Sequence, residues 1–526
     1  MVSQMPKRKK NKYFRAIEPI VYRTGMLLAL CLFIGVLQMV FKGRREIFTD
    51  VKEINKSNIS KVLADAFETH LLNVTEIKYL QEYERGVQPI LNRIKEVRPE
   101  INNKVVENHA AEITAFKVGY VFGSPITFVQ RASVDTGSND GAKDDKKLSI
   151  LNEMMFEEGK AAQDQVLGKD ISVCGVGYRI VLPKKVKDGI SAFNILRLNP
   201  NNAFVVKFND IFKKTALGVS YVQLSDESYR VGAYTDKEYF ELEGKDLASL
   251  KVVKTDKNRI GIQPIIEYKN DDERMGCFER VISLLDALNE ATSDRMNGLA
   301  QFVQSILWMN NCEVDGEQMA QLKDKLGLLT KSEPGNPASV QYLTATLDQA
   351  QTQTLIDYLY EQILQIAGVP GREQSTGGNT GQAIMLSNGW QIAETHARSV
   401  EQTFAESERE MLKVVLKILS LTETSEVAEL KLSDIDVKFS RNRTDSLLVK
   451  TQGLMNQLQA GIHPLIAITN CGLYSDPQSV WNDSKPYLGK WLYDAEEDDV
   501  NDENTVSESG RSGGEDNHED TPRVQA

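Results

Sequence analysis

The chain has 526 residues, 41% of them hydrophobic and 26% charged, with a formal charge of −12 and 5 cysteines. That length accommodates two or three ordinary domains, and the even mixture excludes a disordered, collagen-like or disulfide-stapled protein. The charge is unevenly spread: residues 1–45 hold ten basic and one acidic side chain (+9), residues 494–526 hold two basic and twelve acidic (−10), and residues 46–493 therefore carry −11. An acidic body argues against a broad cationic face that grips nucleic acid, while leaving room for weak handling of DNA. Cys31, Cys174, Cys277, Cys312 and Cys471 are scattered without a Cys-x-x-Cys pair, and His70, His109, His396, His463 and His518 include no His-x-x-x-His. These spacings point to a reducing compartment and give no support for a zinc site or a metal-dependent enzyme.

In chain order, residues 25–41 (GMLLALCLFIGVLQMVF) form an uncharged run of 17 between KRKKNKYFR and KGRR. As a helix it spans roughly 25 Å, the short end of what a bilayer core of about 30 Å requires. Three readings stand side by side: a single membrane segment, a buried hydrophobic helix, and an extension read through from an upstream start codon, since Met39 opens what reads as an ordinary soluble amino terminus.

Residues 46–118 carry helical periodicity: Ile54, Ile59, Val62, Leu63, Ala66, Phe67 and Leu71 form one stripe, Ile101, Val105, His109, Ile113 and Phe116 another, with Pro89 and Pro99 as punctuation. His109 on that stripe reads as a hydrogen-bonded core histidine. From 119 to 268 the period shifts toward 2, with strand-like runs at 120–129, 172–182, 193–198, 203–208, 217–224, 229–234 and 238–243 and one helix at about 146–166. The polar stretch 131–147 reads as a surface loop, and the alternation implies an α+β domain.

Beyond Pro264, Val281, Leu285, Leu288, Thr292, Met296, Leu299, Val303 and Ile306 step by 3 and 4 and predict one long helix with a narrow apolar stripe. A mixed insert covers about 309–344, and helical periodicity resumes from Leu347 to Ala367. The segment GVPGREQSTGGNTGQ (368–382) then leads into a second long helix, seamed by Trp390, Ala393, Ala397, Val400, Phe404, Met411, Val415 and Ile418. If residues 383–420 are helical throughout it measures about 57 Å, and so narrow a seam suggests packing against copies of itself or against the other long helices.

The glycine cluster at 371–381 lacks the Gly-Lys-Ser/Thr of a phosphate-cradling loop, and Gly-Lys elsewhere is followed by Ala, Asp, Asp and Trp. Gly175-Val-Gly177 lies in a β-rich run without the third glycine of a dinucleotide fold, and reads as a bulge or a close packing point. No Gly-x-Ser-x-Gly elbow is present. The sequence thus offers no catalytic residue, no cofactor and no metal site.

The segments YLQEYERGVQPILNR (79–93) and EINNKVVENHAAEITAFKVGYVFGSPITF (100–128) closely resemble the amino-terminal part of portal proteins of long-tailed double-stranded-DNA bacteriophages. The resemblance continues through ERVISLLDALNEATSDRMNGL (279–299), GQAI (381–384) and DIDVKFSRNRTDS (434–446), covering about 46–480 in collinear order. It implies an α+β portal fold and a homo-oligomeric ring, usually of twelve subunits, at one capsid vertex, in the virion and in the host cytoplasm during assembly. By analogy, 1–45 is an extension outside the fold, 46–278 the α+β wing, 279–308 a stem helix, 309–345 a small α/β clip and 346–367 the second stem helix. Residues 368–382 would be the tunnel loop, 383–492 the long helix and helical crown, and 493–526 an acidic disordered tail. The implied partners are a terminase motor, major capsid and scaffolding proteins, a head-tail connector and double-stranded DNA in non-specific transit, with a membrane as the minor alternative.

The implied DNA-facing residues are Arg372, Gln374, Ser375, Thr376, Gly377, Gly378, Asn379 and Thr380, where Arg372 supplies one cation and Asn379 one neutral donor per subunit. A plain helix-to-helix connector is the competing reading of that loop, whose 15 residues exceed the usual 2 to 8 or so. The implied motor-docking residues are Asp315, Glu317, Lys323, Lys325, Lys331 and Glu333. A membrane-anchored cellular protein with a soluble α+β and helical body is the alternative that residues 25–41 support.

Overall fold

A computed structural model describes residues 43–131, 141–184, 191–303, 306–311, 335, 337, 339–343, 349–371, 389–422, 426–440, 447–474, 477 and 479–484. The chain divides into two units, residues 1–128 with 147–442 and residues 129–146 with 443–526. In order, the elements are β1 (Phe48–Thr49), α1 (Ile59–Glu84), α2 (His109–Phe122), β2 (Thr127–Gln130), α3 (Gly141–Glu157) and α4 (Lys160–Cys174). The strands β3 (Val176–Pro183), β4 (Phe193–Leu198), β5 (Ala203–Phe208), β6 (Thr215–Gln223), β7 (Tyr229–Tyr234), β8 (Glu238–Gly244), β9 (Lys251–Lys257) and β10 (Ile265–Lys269) follow. Then come α5 (Ile282–Val303), β11 (Ile306–Asn310), β12 (Ser339–Leu343), α6 (Gln349–Ala367), α7 (Trp390–Ser420), β13 (Ile435–Lys438), α8 (Leu447–Gln459) and α9 (Pro464–Cys471). Helix and sheet are both abundant and the class is α+β, as expected from the sequence.

In the larger unit a six-stranded sheet runs in the order β1-β5-β6-β7-β8-β9, an antiparallel meander from β5 onward with the short β1 parallel to β5. Alternating residues Phe204, Val206, Leu217, Val219, Val231, Ala233, Phe240 and Leu242 are buried, as expected for a sheet with one covered face. The cover includes α1, whose Phe67 ring meets Phe204 edge-on at 5.1 Å. The buried stripe of α1 runs Phe67, His70, Val74, Ile77, while Leu71, which the spacing placed on it, is 44% exposed. Steps of four from Phe67 drift off a 3.6-residue face, and the step of three to His70 keeps it. The outer strand β9 carries Lys251, Lys254 and Lys257 outward and is exposed along most of its length, a charged edge that discourages further strand pairing.

A second, antiparallel sheet, β10-β3-β4, builds a separate core with α7. Phe404, Met411, Leu412, Val415 and Ile418 of α7 bury against Phe122, Phe193, Tyr268 and neighbouring apolar residues. The seam of the long helix is therefore closed inside its own subunit, which corrects the expectation of self-packing. The described helix runs 31 residues, about 46 Å.

Other boundaries also move. The single helix expected at 146–166 is two, α3 and α4, separated where Gly159 takes φ +65°. Residues 120–122 close α2, and 172–174 close α4, although both stretches read as strand. Gly175 is a helix C-cap, not a bulge: its φ is +79°, its N–H bonds Ile171 O at 3.0 Å, and a Cβ there would stand 2.0 Å from Arg274 O. The helix expected to run through Ile306 ends at Val303, and Ile306 opens β11. Strands β9 and β10 escaped the sequence reading.

In the smaller unit α8 and α9 pack on each other. The α8 end closes with Ile462 N on Gln457 O at 3.1 Å, and α9 starts with Pro464 at its first turn and His463 accepting from Leu465 N at 3.3 Å. No helix among the described residues is long and apolar enough to cross a membrane. The apolar run at 25–41 lies outside them.

Candidate functional site

Helix α5 starts on a 3₁₀ turn in which buried Glu279 pairs with buried Arg44. Its first turns bury Ile282, Leu285 and Leu288. Further along, Asn289, Ser293 and Asn297 are also buried, which demands partners for their polar atoms. Those partners are main-chain amides of an extended segment: Glu107 N donates to Asn289 Oδ1 at 2.8 Å, Val105 N to Ser293 Oγ at 2.9 Å and Asn103 N to Asn297 Oδ1 at 2.7 Å. Two residues of extended chain rise about 6.6 Å and four residues of helix about 6.0 Å, so alternate amides meet every fourth helix side chain. This ladder fastens α5 to the chain preceding α2. Past it, Leu299 is 52% exposed.

Helices α5 and α6 pack together, and Arg295 of one bonds Gln353 of the other. The strand pair β11–β12 prolongs the helix pair, in register from Ile306↔Leu343 to Asn310↔Ser339. Residues 312–334 thus leave and re-enter the fold at adjacent points, the ends of a two-stranded ribbon. Asp315, Glu317, Lys323, Lys325, Lys331 and Glu333 lie in that interval, outside the described residues.

The described chain on either side of residues 372–388 is likewise brought together. Helix α6 ends with Gly368 at φ +64°, and Val369 N bonds Leu364 O at 2.9 Å, a reverse of direction that buries Val369 and Pro370. Gly389, before α7, lies so near that a Cβ on it would stand 3.7 Å from Pro370 Cα. The chain enters and leaves the loop at one root. A connector between such neighbours needs only a few residues. Arg372, Gln374, Ser375, Thr376, Gly377, Gly378, Asn379 and Thr380 all fall outside the described residues.

The root is held by α2 and α7. Lys117 Nζ donates to Gly368 O at 3.2 Å, Tyr120 OH bonds Glu394 at 2.9 Å, and the Trp390 ring sits 6.0 Å from Phe116 and 5.8 Å from Tyr120. His396 packs on Gly368, where a Cβ would come within 2.6 Å of Nδ1. Glycine is required there twice over, by φ and by space.

Farther along α7, Glu408 enters a buried ion cluster. Arg179 Nη1 donates to Glu408 Oε1 at 2.8 Å, Lys160 Nζ donates to Asp164 Oδ2 at 2.6 Å and forms an ion pair with Glu408 Oε2 at 2.9 Å, and Tyr268 OH donates to Glu408 Oε1 at 2.8 Å, while Arg179 also pairs with Asp164. Two cations face two anions, all at most 4% exposed in their side chains. Burial opposes the Arg179 charge, but Tyr268, Asp164 and Glu408 outweigh it and hold the guanidinium above its ordinary value. The cluster locks α7 to α4 and β3.

A family model described as "Phage portal protein, SPP1 Gp6-like" matches residues 64–480, most of the chain. The chain belongs to the phage portal protein family. A search of curated proteins found no match. Members of this portal family are structural rather than catalytic proteins of the capsid vertex.

In the portal chain His109 is part of neither core. Its Nδ1 lies 2.7 Å from Glu112 Oε2, its Nε2 3.2 Å from Glu107 Oε2, and its ring 4.6 Å from Tyr360 of α6. It is hydrogen-bonded, as expected, but half-buried at a junction between α2 and α6. The residues that sequence reasoning missed are Lys117 and His396 at the loop root and the Asn289–Ser293–Asn297 ladder. The ladder left a signal, three small polar residues at spacing 4 on the face that continues Leu285. Lys117 and His396 left none, being single polar residues more than 200 positions apart in sequence.

Proposed function

We propose that this portal chain assembles into a ring of about twelve subunits at one capsid vertex and serves as the conduit for DNA packaging and ejection. Twelve copies of the 59.0 kDa chain weigh about 708 kDa. A closed ring uses heterologous contacts, front of one subunit to back of the next. Helices α5 and α6 act as the stem, with residues 46–278 as wing, 309–345 as clip and 383–492 as long helix and crown. The clip, through Asp315, Glu317, Lys323, Lys325, Lys331 and Glu333, docks a terminase ATPase during packaging and a head-tail connector afterward. The acidic body suits transit, because a continuous cationic lining would bind DNA tightly through counterion release.

One observation supports reading 368–382 as the tunnel loop: the described residues on either side of 372–388, Pro370 and Gly389, meet at a single packed root, so the length between them serves something other than linkage. Arg372 and Asn379 touch passing phosphates weakly and without sequence preference. Deleting 374–380 leaves the ring intact by light scattering and lowers DNA packaging or retention. Undiminished packaging reduces the segment to a connector. A monomer in solution for residues 39–526, with membrane partition only when the head is present, overturns the ring and conduit reading.

A further inference from the structure

The loop root carries an arrangement that the conduit reading does not use. Lys117 projects from α2 and donates to the carbonyl that ends α6, where the helix dipole favours a cation. Among the described residues no carboxylate pairs with it. The His396 ring lies against the same glycine. Two groups able to hold a positive charge therefore converge on one residue, Gly368, from two different helices, and the turn they hold is the one from which the loop departs.

We infer that Lys117 and His396 form a proton-sensitive latch that positions the root of the loop, closed while His396 is neutral and loosened when it gains a proton beside the Lys117 ammonium. This rests on the reading of residues 368–382 as the DNA-contacting loop. The charges around the latch come from each element packed on it. Arg280, before α5, adds to the positive field at His396, and the buried Cys277 thiol near Lys117, pushed up to about 11, stays neutral over the span in which an imidazole titrates. Glu394 of α7 is already engaged by Tyr120 OH and by Arg398 Nε at 3.0 Å. Burial, then Lys117 and then Arg280 hold His396 below the ordinary imidazole value, so the neutral ring is the resting form. Burial likewise draws Lys117 down from its usual range. His396 is exposed in part, so protons reach it without unfolding. A second positive charge at the turn is repelled by the first, and the hydrogen bond to Gly368 O and the packing on Gly368 weaken together.

Hydrogen exchange on the assembled full-length ring tests this, following the peptide 364–371 against an α5 peptide, 285–295, in the same sample. In the native chain protection of 364–371 relative to 285–295 falls by roughly tenfold between about pH 8 and about pH 5, the span in which an imidazole titrates. His396→Gln removes that dependence and keeps the protection. Lys117→Met loses protection at every pH, and Lys117→Arg, which retains the cation and a donor, restores most of it. A His396→Gln ring with the native pH dependence, or a Lys117→Met ring with native protection, overturns the latch. Where Lys117→Met fails to assemble, the comparison of native and His396→Gln rings decides alone. The loop's own role is read separately, from DNA packaging by the 374–380 deletion: a latch without packaging loss sinks the conduit role of the loop, and packaging loss without a latch sinks only this inference.

Discussion

Replacing Glu408 by Gln breaks the buried ion cluster in a defined way. The native group balances Lys160 and Arg179 against Asp164 and Glu408. The substitution keeps the shape of the side chain but leaves two cations on one carboxylate, with Arg179 and Glu408 both at 0% side-chain exposure. Removing one partner of a buried pair costs about 3–5 kcal/mol, chiefly because the other charge stays desolvated. Arg179→Met strands the opposite charge and costs a similar amount, about 3–5 kcal/mol. The double variant restores neutrality around Lys160–Asp164, so its cost falls below the sum of the single ones by roughly 2 kcal/mol. Guanidinium unfolding at one fixed subunit concentration measures each, since ring assembly ties apparent stability to concentration. Additive costs within about 0.5 kcal/mol would refute the cluster as a coupled unit.

Three further outcomes follow from the packing. His70 is buried beside Phe204, with Tyr221 OH at 3.2 Å from Nε2, and burial lowers its pKa to about 4. The unfolded chain, near 6.5, binds the proton first, so stability declines as pH falls from about 6.5 to about 4, by about 3 kcal/mol in all; His70→Phe should flatten that part of the stability–pH curve, and an unchanged slope assigns the effect elsewhere. Ser293→Ala strands the Val105 amide and is expected to lower unfolding free energy by about 1–3 kcal/mol, visible as earlier denaturant unfolding. Gly175→Ala combines a φ of +79° with a Cβ 2.0 Å from Arg274 O, and circular dichroism melts should show a loss of more than about 1 kcal/mol, whereas a neutral result contradicts the close approach.

The portal resemblance was legible because it is collinear over most of the chain and depends on no single motif. Strands β4, β5 and β7 matched their runs residue for residue, since alternation reports a half-buried sheet directly. Strand β9 was not legible: three lysines on an exposed edge strand erase the alternation that a covered face imposes. Ile306 kept the helical step of α5 and yet opened β11, because short apolar runs fit either period.

What the amino-acid sequence by itself determined is the strand runs from β4 to β8, the apolar faces of α5 and α7 and the uneven charge along the chain, all of which are local quantities. A seam of spacing 3 and 4 states that a face is buried and is silent on what buries it, and only the tertiary structure turned α7 inward onto its own small sheet. Only the structure joined Arg179 to Glu408 across 229 positions, set Asn289, Ser293 and Asn297 on the extended chain before α2, and brought Pro370 and Gly389 together at one root. Such contacts depend on where distant segments meet, which packing of whole elements decides and no local pattern records.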